Sequence, residues 1–430
     1  MQQAMLMDAP KQVYDLRDYQ KDSVRSGITF FNRKTGPNEI QVLPTGSGKS
    51  LCIAGIVNGT IEPMLILQPS KEILAQNYEK FISFGGHASI FSASIGRKEI
   101  GDTTYASLPS IMAKDAEGRQ KSLKYFTHFR NIIVDECHLA TSAQAGQFKD
   151  FLAALHNPRV LGMTATPFRL APYNGRDGKK DSMLKFLTRT SPKIFGKVGY
   201  SIDISELSQR GFLAKLKYYP QRKVLDHLFD RNAIAVNSTG ADFKEESLRE
   251  YYQTIDFNND VISVVKRVNK AGRRCLAFVS FVEDALWISS QLGPRSATVH
   301  GATPIPIRAE IERRFKNGEL DSVINVGCWT VGFDDPYLSC VVIAKPMRSL
   351  ALYYQMLGRG MRKPSDKPDK DCWCIDLCGN METFGRVEDL KMGEDKKGLP
   401  LIYGSGNKVL TGVPLSQSIN LEEFVGDSFG

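Results

Sequence analysis

Short apolar runs alternate with stretches of helical periodicity through the first part of the chain. The runs have the length of buried strands, and four of them stand out: 40–43, 64–68, 131–134 and 159–163. The stretch 71–84 repeats apolar residues three and four positions apart, as an amphipathic helix does. Because strands that alternate with helices form a parallel sheet covered by helices, the pattern predicts a doubly wound α/β domain.

A second series of the same kind begins near Asp260. Helical patterns alternate there with apolar runs, the helices at 260–269, 282–292, 307–316 and 350–361 and the strands at 274–280, 297–300, 322–326 and 340–344. The predicted fold class is therefore α/β, with two tandem domains built on parallel sheets.

The patterns divide the chain into four parts. We place the first domain at 1–200, a connector of broken periodicity at 201–258, the second domain at 259–380 and a Gly- and Lys-rich tail at 381–430. Residues 170–199 collect Gly, Asn, Lys and Arg, which indicates an exposed loop, either solvated or touching nucleic acid. The tail is either a small appended element or partly disordered.

Composition narrows the class of protein. The 430 residues are 42% hydrophobic and 24% charged, which is typical of soluble globular domains. We expect a cytoplasmic protein with no membrane association, because no apolar run reaches about 18 residues and residues 1–12 lack the apolar segment of a secretion signal. The eight cysteines lie singly in apolar segments, as reduced thiols do, except around Cys372. The net charge of +9 suits a polyanionic partner.

The stretch 42–53 reads as strand, glycine loop and helix. Glycines let backbone N–H groups close around phosphates, and the helix N-terminus adds positive potential. In such a loop Lys49 reaches the β- and γ-phosphates and Ser50 holds Mg²⁺. Leu43 stands where the usual pattern begins with glycine. A chance glycine-rich turn is the alternative, and the strand and helix on either side argue against it.

An acidic pair, Asp135 and Glu136, follows the apolar run 131–134. Open α/β sheets bind their ligands at the carboxyl ends of strands. Asp135 is therefore a candidate for holding Mg²⁺ through water, and Glu136 for polarising an attacking water. The run 159–163 ends in a comparable hydroxyl-rich turn, Thr164 to Pro167.

The second series has no phosphate loop of its own but carries a basic segment at 355–362. Gln355, Arg359 and Arg362 share one helical face and its end. Two arginines three residues apart suit negative charge that develops on a γ-phosphate. A solvated basic helix is the alternative if the segment is considered alone.

Three further features have two interpretations each. Arg17 and Gln20 either read an adenine edge or cap an ordinary surface helix that runs to Phe31. Residues 103–111 either contact a phosphate backbone or form a strand and turn. Cys372, Cys374 and Cys378 favour a strand over a zinc site, since their spacing matches no common zinc pattern.

In order and spacing these motifs resemble those of superfamily 2 helicases over residues 14–380. The matching segments are Gly46–Ser50, Asp135–His138, Thr164–Thr166, Gly332–Asp334 and Gln355–Arg362. Within the superfamily, the Asp-Glu-Cys-His box and its neighbours resemble RadD-type DNA repair helicases and, more distantly, the XPB- and RIG-I-like groups. Two features differ from the family pattern. Val326 stands where the motif that contains Gly332–Asp334 (motif V) usually begins with threonine. The cysteine-rich zinc elements of the RadD type are missing, which implies a minimal motor such as a phage version.

The resemblance implies two RecA-like domains that together hydrolyse one ATP with Mg²⁺. The implied nucleotide contacts are Arg17, Gln20, Thr45, Gly46, Ser47, Gly48, Lys49, Ser50, Gly332 and Asp334, with Ser50 and Asp135 at the metal. The implied catalytic set is Lys49, Glu136, Gln355, Arg359 and Arg362. His138, Thr164 and Thr166 would couple the nucleotide state to movement, and nucleic acid would be contacted by Pro69, Ser70, Ser107 and Ser280.

The resulting hypothesis is a monomeric, ATP-dependent helicase or translocase whose partner is nucleic acid, with DNA favoured over RNA. The rival is a nucleic-acid-stimulated ATPase that clamps or remodels complexes without unwinding, and the sequence leaves it open. A small-molecule kinase would explain the phosphate loop only. It leaves the acidic pair and the two arginines without a function, and we discard it.

Overall fold

The computed structural model describes residues 15–33, 35–140, 145–174, 180–191, 193–329, 333–415, 417 and 419–420. The chain divides into two compact units. The first holds residues up to Pro44, Gly48–Arg169 and Phe186–Ile202, and the second holds Thr45–Ser47, Leu170–Lys185 and the chain from Asp203. The predicted α/β fold class with two parallel-sheet domains is confirmed.

The first unit is built from alternating strands and helices. In chain order they are α1 (Asp18–Asn32), β1 (Glu39–Val42), α2 (Lys49–Asn58), β2 (Met64–Leu67), α3 (Lys71–Ser83), β3 (Ser89–Ser92), β4 (Arg97–Lys98), β5 (Thr103–Ala106), α4 (Leu108–Ile111), β6 (Asn131–Asp135), α5 (Cys137–Ala140), α6 (Ala145–Ala153) and β7 (Arg159–Thr164). The chain then forms β8 (Phe168–Asn174) and β9 (Lys180–Phe186), which lie mostly in the second unit, and β10 (Lys197–Ser201) completes the first.

The described part of the first sheet has eight strands in the order β10-β1-β7-β6-β2-β5-β3-β4, and among these the β3–β4 pair is antiparallel and the others are parallel. Strands β2 and β6 are buried along their whole length, as continuous aliphatic runs in a sheet covered on both faces should be. Phenylalanines from the helices and loops pack against one face of β6, among them Phe129, Phe148 and Phe195. The carboxyl ends of β1, β2, β5, β6 and β7 therefore share one edge of the sheet.

The second unit repeats this architecture. Its further elements are α7 (Ile204–Gln209), β11 (Lys215–Tyr219), α8 (Glu245–Thr254), α9 (Phe257–Lys270), β12 (Cys275–Val279), α10 (Val282–Leu292), β13 (Ser296–His300), α11 (Ile305–Lys316), β14 (Ser322–Val326), β15 (Cys340–Ala344), α12 (Leu350–Gly358), β16 (Asp371–Asp376), α13 (Asn380–Phe384), β17 (Lys391–Glu394) and β18 (Pro400–Tyr403). Six of these strands form a parallel sheet in the order β11-β16-β15-β12-β14-β13.

The stretch 201–258, predicted as a connector, contributes to the second unit. Strand β11 pairs in parallel with β16 along its whole length. Phe229, Leu248 and Tyr252 are buried in the same apolar core as β12 and β15. The apolar pattern did not predict that this stretch belongs to the second unit, because β11 is an edge strand rich in polar residues. The segment before α8 contributes single aromatic residues to the core.

The prediction of an exposed loop at 170–199 is wrong where the structure describes it. Strands β8 and β9 pair with each other, and β10 joins the edge of the first sheet. Leu184 is buried and bridges to Thr411 in the predicted tail. The tail itself forms α13 and an antiparallel hairpin of β17 and β18. Of the three clustered basic residues in this stretch, Arg176 and Lys179 lie outside the described residues, and Lys180 begins β9.

No helix within the described ranges is both long enough and apolar enough to span a bilayer.

Gly162 in β7 provides a test of the packing in the first unit. A Cβ at this position would lie 2.8 Å from Cys137 Sγ and 2.8 Å from the Phe195 ring, closer than real contacts allow. We therefore expect Gly162→Ala to destabilise the protein by about 1–3 kcal/mol, as overpacking of a core does. Chemical denaturation monitored by fluorescence measures the change.

Gly146→Ala is the matched control. Gly146 lies in α6, and a Cβ added there would meet no described atom within 4 Å apart from the adjacent residues and the helix's own backbone, so this change should be neutral or slightly stabilising. Equal losses of stability in the two variants would contradict the packing described for β7.

Candidate active site

The glycine loop connects β1 to α2 as the sequence predicts. Gly46 and Gly48 have φ angles of 86° and 80°, which favour glycine. A Cβ on Gly48 would also collide with the side-chain amide of Gln20. Leu43, the departure from the usual pattern, is fully buried, and its N–H donates to the Thr164 carbonyl at 3.0 Å. The position continues the core of the sheet, which explains why an aliphatic residue is accepted there.

Lys49 opens α2 and makes two ion pairs. Its ammonium lies 2.9 Å from Asp135 Oδ1 and also contacts a carboxylate oxygen of Glu136. Burial alone would lower the pKa of Lys49, but the two carboxylates outweigh burial and raise that pKa above its ordinary value. The ammonium is therefore fully charged at neutral pH.

The acidic pair lies where β6 ends, and the backbone bends sharply there. Glu136 has a φ angle of 46°, which is uncommon for a residue with a side chain, and its N–H donates to Asp135 Oδ1 at 2.9 Å. Burial raises the pKa of Asp135, and the Lys49 ammonium opposes that rise. Strain of this kind persists where surrounding contacts enforce it, and it is common at functional sites.

Asn77 is the residue of this cluster that sequence reasoning missed. Its amide accepts a hydrogen bond from Ser50 Oγ at 2.5 Å and donates to Asp135 Oδ2 at 3.0 Å and to Gln68 Oε1 at 3.1 Å. A signal was available: Asn77 occupies the apolar face of α3, three residues after Leu74 and four before Phe81, where a polar residue needs a buried partner.

The oxygen atoms of Ser50 and Asp135 fit Mg²⁺, which prefers hydroxyl, carboxylate and water ligands. Among the described residues, no group of three or more His, Cys, Asp or Glu side chains could hold a metal by itself. A cation here would therefore depend on nucleotide phosphates and water for most of its ligands, as Mg²⁺ commonly does.

His138, Thr164 and Thr166 form one buried hydrogen-bonded group. His138 Nδ1 lies 2.9 Å from Thr164 Oγ1, which also accepts the N–H of Thr166 at 3.0 Å. The same Nδ1 is 3.5 Å from a carboxylate oxygen of Glu136. Burial lowers the pKa of His138 to about 4, so the ring is neutral at neutral pH. The structure thus brings the three predicted coupling residues together beside the acidic pair.

The predicted adenine-reading residues begin α1. Gln20 is buried, its Oε1 accepts the N–H of Arg17 at 2.9 Å, and its amide lies against Gly48. The guanidinium of Arg17 donates to Tyr19 Oη at 3.2 Å. Gln20 therefore both caps α1 and lies against the glycine loop. Capping the helix and reading an adenine edge, the two interpretations that the sequence left open, are compatible.

In the second unit, the predicted arginines converge on one carbonyl. Arg359 and Arg362 both donate to the Phe333 carbonyl oxygen, at 2.7 and 2.5 Å. Arg362 also forms an ion pair with Asp334 at 3.1 Å, so the residue predicted at the ribose is held by an arginine. Gln355 is buried in α12. Gly332, also predicted to contact the nucleotide, lies outside the described residues.

The predicted nucleic-acid contacts each follow a strand. Pro69 and Ser70 follow β2, Ser107 follows the neighbouring β5, and Ser280 follows β12 in the second unit. Ser70 Oγ accepts the N–H of Ile73 at 3.3 Å and so caps α3. Ser107 pairs with Ser110 at 2.7 Å, and Ser280 pairs with Tyr252 at 2.8 Å.

Two family models match the chain. Type III restriction enzyme, res subunit, matches residues 13–169, and helicase conserved C-terminal domain matches residues 257–364. A putative ATP-dependent helicase of Saccharomyces cerevisiae, IRC3, is 26% identical over 85% of this chain, which spans 51% of that protein. The ATP-dependent DNA helicase uvsW of enterobacteria phage T4 is 22% identical over 84% of this chain and 68% of its own length.

A similar fold occurs in a solved structure. The fragment of a putative HsdR subunit of a type I restriction enzyme from Vibrio vulnificus YJ016 has a TM-score of 0.60 and 18% identity, over 91% of this chain and 71% of that one. The chain spans only about half of the yeast relative's length. None of these matches distinguishes the RadD-type subgroup, which stays a prediction.

The buried neutral His138 should make the stability of the first unit depend on pH. The unfolded chain takes up a proton on this residue near pH 6.5, whereas the folded chain does so only near pH 4. Since the unfolded state binds more protons between these values, His138 should reduce stability as pH falls from about 7 to 4. We expect His138→Gln to show a smaller loss of apparent melting temperature over this range than the parent protein.

His156→Gln is the control, because His156 is exposed. Its pH dependence should match that of the parent protein. If His138→Gln also follows the parent curve, the neutral buried state of His138 is wrong.

Proposed function

We propose that this chain is a superfamily 2 helicase motor that hydrolyses ATP and moves along or unwinds DNA; the matches to the type III restriction enzyme res subunit and to the helicase conserved C-terminal domain support this. The observation that carries the proposal is the Lys49–Asp135–Glu136 cluster at the glycine loop. A lysine and a hydroxyl that follow β1, with two carboxylates at the end of β6 on the same edge of the sheet, match the groups that phosphoryl transfer to water requires.

Lys49 would exchange its carboxylate partners for the β- and γ-phosphates of ATP. Its ammonium is now neutralised by Asp135 and Glu136, so arrival of a more highly charged anion would release both carboxylates. Ser50 and Asp135 would then hold Mg²⁺, which neutralises phosphate charge when bound. Glu136, on its strained backbone, would orient and polarise the attacking water.

Arg359 and Arg362 would stabilise the negative charge that grows on the γ-phosphate. Both guanidinium groups are anchored to the Phe333 carbonyl, which limits their freedom and lowers the entropic cost of presenting them. Gln355 lies one turn earlier on α12 and would assist them. Asp334 holds Arg362 and would also contact the ribose.

Nucleic acid would be held mainly through its backbone by Pro69, Ser70 and Ser107 in the first unit and Ser280 in the second. Backbone contacts position a strand without reading its sequence. DNA is the proposed partner because the phage relative is named an ATP-dependent DNA helicase. The proposal extends to DNA repair because the motifs resemble those of RadD-type DNA repair helicases. His138, Thr164 and Thr166 would couple Glu136, and hence the nucleotide state, to movement.

ATP turnover tests the proposal directly. With MgATP, we expect single-stranded DNA to raise the steady-state rate of ATP hydrolysis several-fold. Lys49→Ala should abolish ATP hydrolysis, because the phosphates lose their contact with the ammonium group. The measurement compares no nucleic acid, single-stranded DNA, duplex DNA and RNA. Stimulation by RNA alone would move the protein to RNA substrates, and a rate insensitive to nucleic acid would contradict a nucleic-acid motor.

Arg362→Ala should lower kcat by about 10²- to 10³-fold with a much smaller change in KM, since the lost charge acts on the transition state. Lys367→Ala, an exposed neighbour, is the control and should leave both parameters unchanged. Equal kcat values in the arginine variant and the parent protein would remove Arg362 from the catalytic set.

Strand displacement separates unwinding from translocation. On a duplex with a single-stranded tail, a helicase releases the labelled strand in step with ATP hydrolysis. DNA-stimulated hydrolysis without release of the strand would favour the rival function, a motor or clamp that remodels complexes without unwinding.

A further inference from the structure

The orientation of the Asn77 amide follows from its partners. A carboxylate accepts hydrogen bonds, so the amide nitrogen must be the atom that faces Asp135 Oδ2. The amide oxygen then faces Ser50, and the Ser50 hydroxyl must donate to it. The second N–H of the amide is used by Gln68 Oε1. Both amide hydrogens and the amide oxygen therefore have partners, and only one orientation achieves this.

This arrangement prepares the two side chains proposed to hold Mg²⁺. A hydroxyl that donates its hydrogen to Asn77 keeps both lone pairs available to a cation. The bond to Asp135 Oδ2 fixes the carboxylate plane and leaves Oδ1 as the oxygen that now faces Lys49. One buried amide thus sets the direction of both Ser50 and Asp135, which belong to different elements.

Asn77 is also connected to the predicted nucleic-acid contact in the same unit. Helix α3 begins at its cap residue Ser70, and Asn77 lies two turns further along, about 10 Å away at 1.5 Å per residue. Gln68, which shares a hydrogen bond with Asn77, immediately precedes Pro69. A displacement of Pro69 and Ser70 would therefore move Asn77 in two ways: through α3, which Ser70 caps, and through the hydrogen bond between Gln68 and Asn77.

We propose that Asn77 is a positioning residue that transmits nucleic-acid contact at Pro69 and Ser70 to the metal-binding side chains Ser50 and Asp135. The proposal rests on the proposed function, because it assumes a nucleic-acid-stimulated ATPase. A small shift of α3 changes the Asn77 bonds to Ser50 and Asp135 together, so both metal-binding side chains respond to one contact. Nucleic acid then stimulates ATP hydrolysis by raising the affinity of the site for Mg²⁺ together with nucleotide.

Asn77→Leu tests the proposal with a side chain of similar size and no hydrogen bonds. Binding of a non-hydrolysable ATP analogue is measured with and without MgCl₂, and hydrolysis of ATP is measured with and without single-stranded DNA. We expect the gain in analogue affinity on adding Mg²⁺ to fall about tenfold, the size expected for lost hydrogen bonds to a charged group. Metal-free binding of the analogue should stay within about twofold, and DNA stimulation should fall about tenfold.

Glu79→Gln is the matched control, because Glu79 is exposed on the same helix. It should retain the Mg²⁺ dependence and the DNA stimulation of the parent protein. A purely structural effect of Asn77→Leu would lower the melting temperature and weaken metal-free binding as well. Asn77→Leu with parental Mg²⁺ dependence and parental DNA stimulation would overturn the proposal.

Asn77→Ala provides a second readout if Asn77→Leu does not fold. It removes the same hydrogen bonds without filling the space of the amide, so the Mg²⁺-dependent gain in analogue affinity and the DNA stimulation should fall together, as expected for Asn77→Leu. Parental values of both quantities in Asn77→Ala would overturn the proposal.

Measurements on the parent protein distinguish a failure of the proposed function from a failure of the assignment of Asn77. If DNA does not stimulate the parent protein, the proposed function fails, and the assignment of Asn77 to coupling fails with it. If DNA stimulates the parent and both Asn77 variants equally, the proposed function stands and the assignment of Asn77 alone fails.

Discussion

A partly buried ammonium group between two carboxylates is the interaction on which the carboxyl-end edge of the first sheet depends. Lys49, Asp135 and Glu136 come from α2 and from the end of β6, and each charge would be costly to bury alone. Together they are compensated, and the ion pairs hold the start of α2 against the acidic turn. The strained backbone at Glu136 and the hydrogen bonds of Asn77 and His138 are arranged around these charges.

Much of the fold could be predicted from the sequence because parallel sheets leave a direct signature. Strands such as β6 and β12 are buried on both faces and appear as continuous aliphatic runs, and the helices between them carry one apolar stripe. The glycine loop was predictable for a related reason, since its conformation at Gly46 and Gly48 restricts the residue type. Lys49 and the acidic pair lie at the same edge because the strands that precede them, β1 and β6, run parallel in one sheet.

The parts that could not be predicted depend on contacts between residues far apart in sequence. Strand β9 is recognisable only with its partners β8 and Thr411, and its own sequence is rich in polar residues. Phe229 and Tyr252 enter the second core from a segment without periodicity. The hydrogen bonds of Asn77 to Ser50 and Asp135 span 27 and 58 residues, so helical periodicity indicates that Asn77 is buried but does not identify its partners.

The pairing of β11 with β16 has a consequence for how the second unit assembles. The one described neighbour of β11 (215–219) in the sheet is β16 (371–376), which lies roughly 150 residues later in the chain. Strand β11 therefore stays unpaired until β16 has been synthesised. At translation rates of about 5–20 residues per second, the ribosome takes roughly 8–30 seconds to supply the partner. Throughout that interval the emerging chain has an unpaired strand next to aromatic residues that belong in the core. Because an unpaired strand edge can pair with other chains, the second unit needs protection from aggregation until β16 has been synthesised.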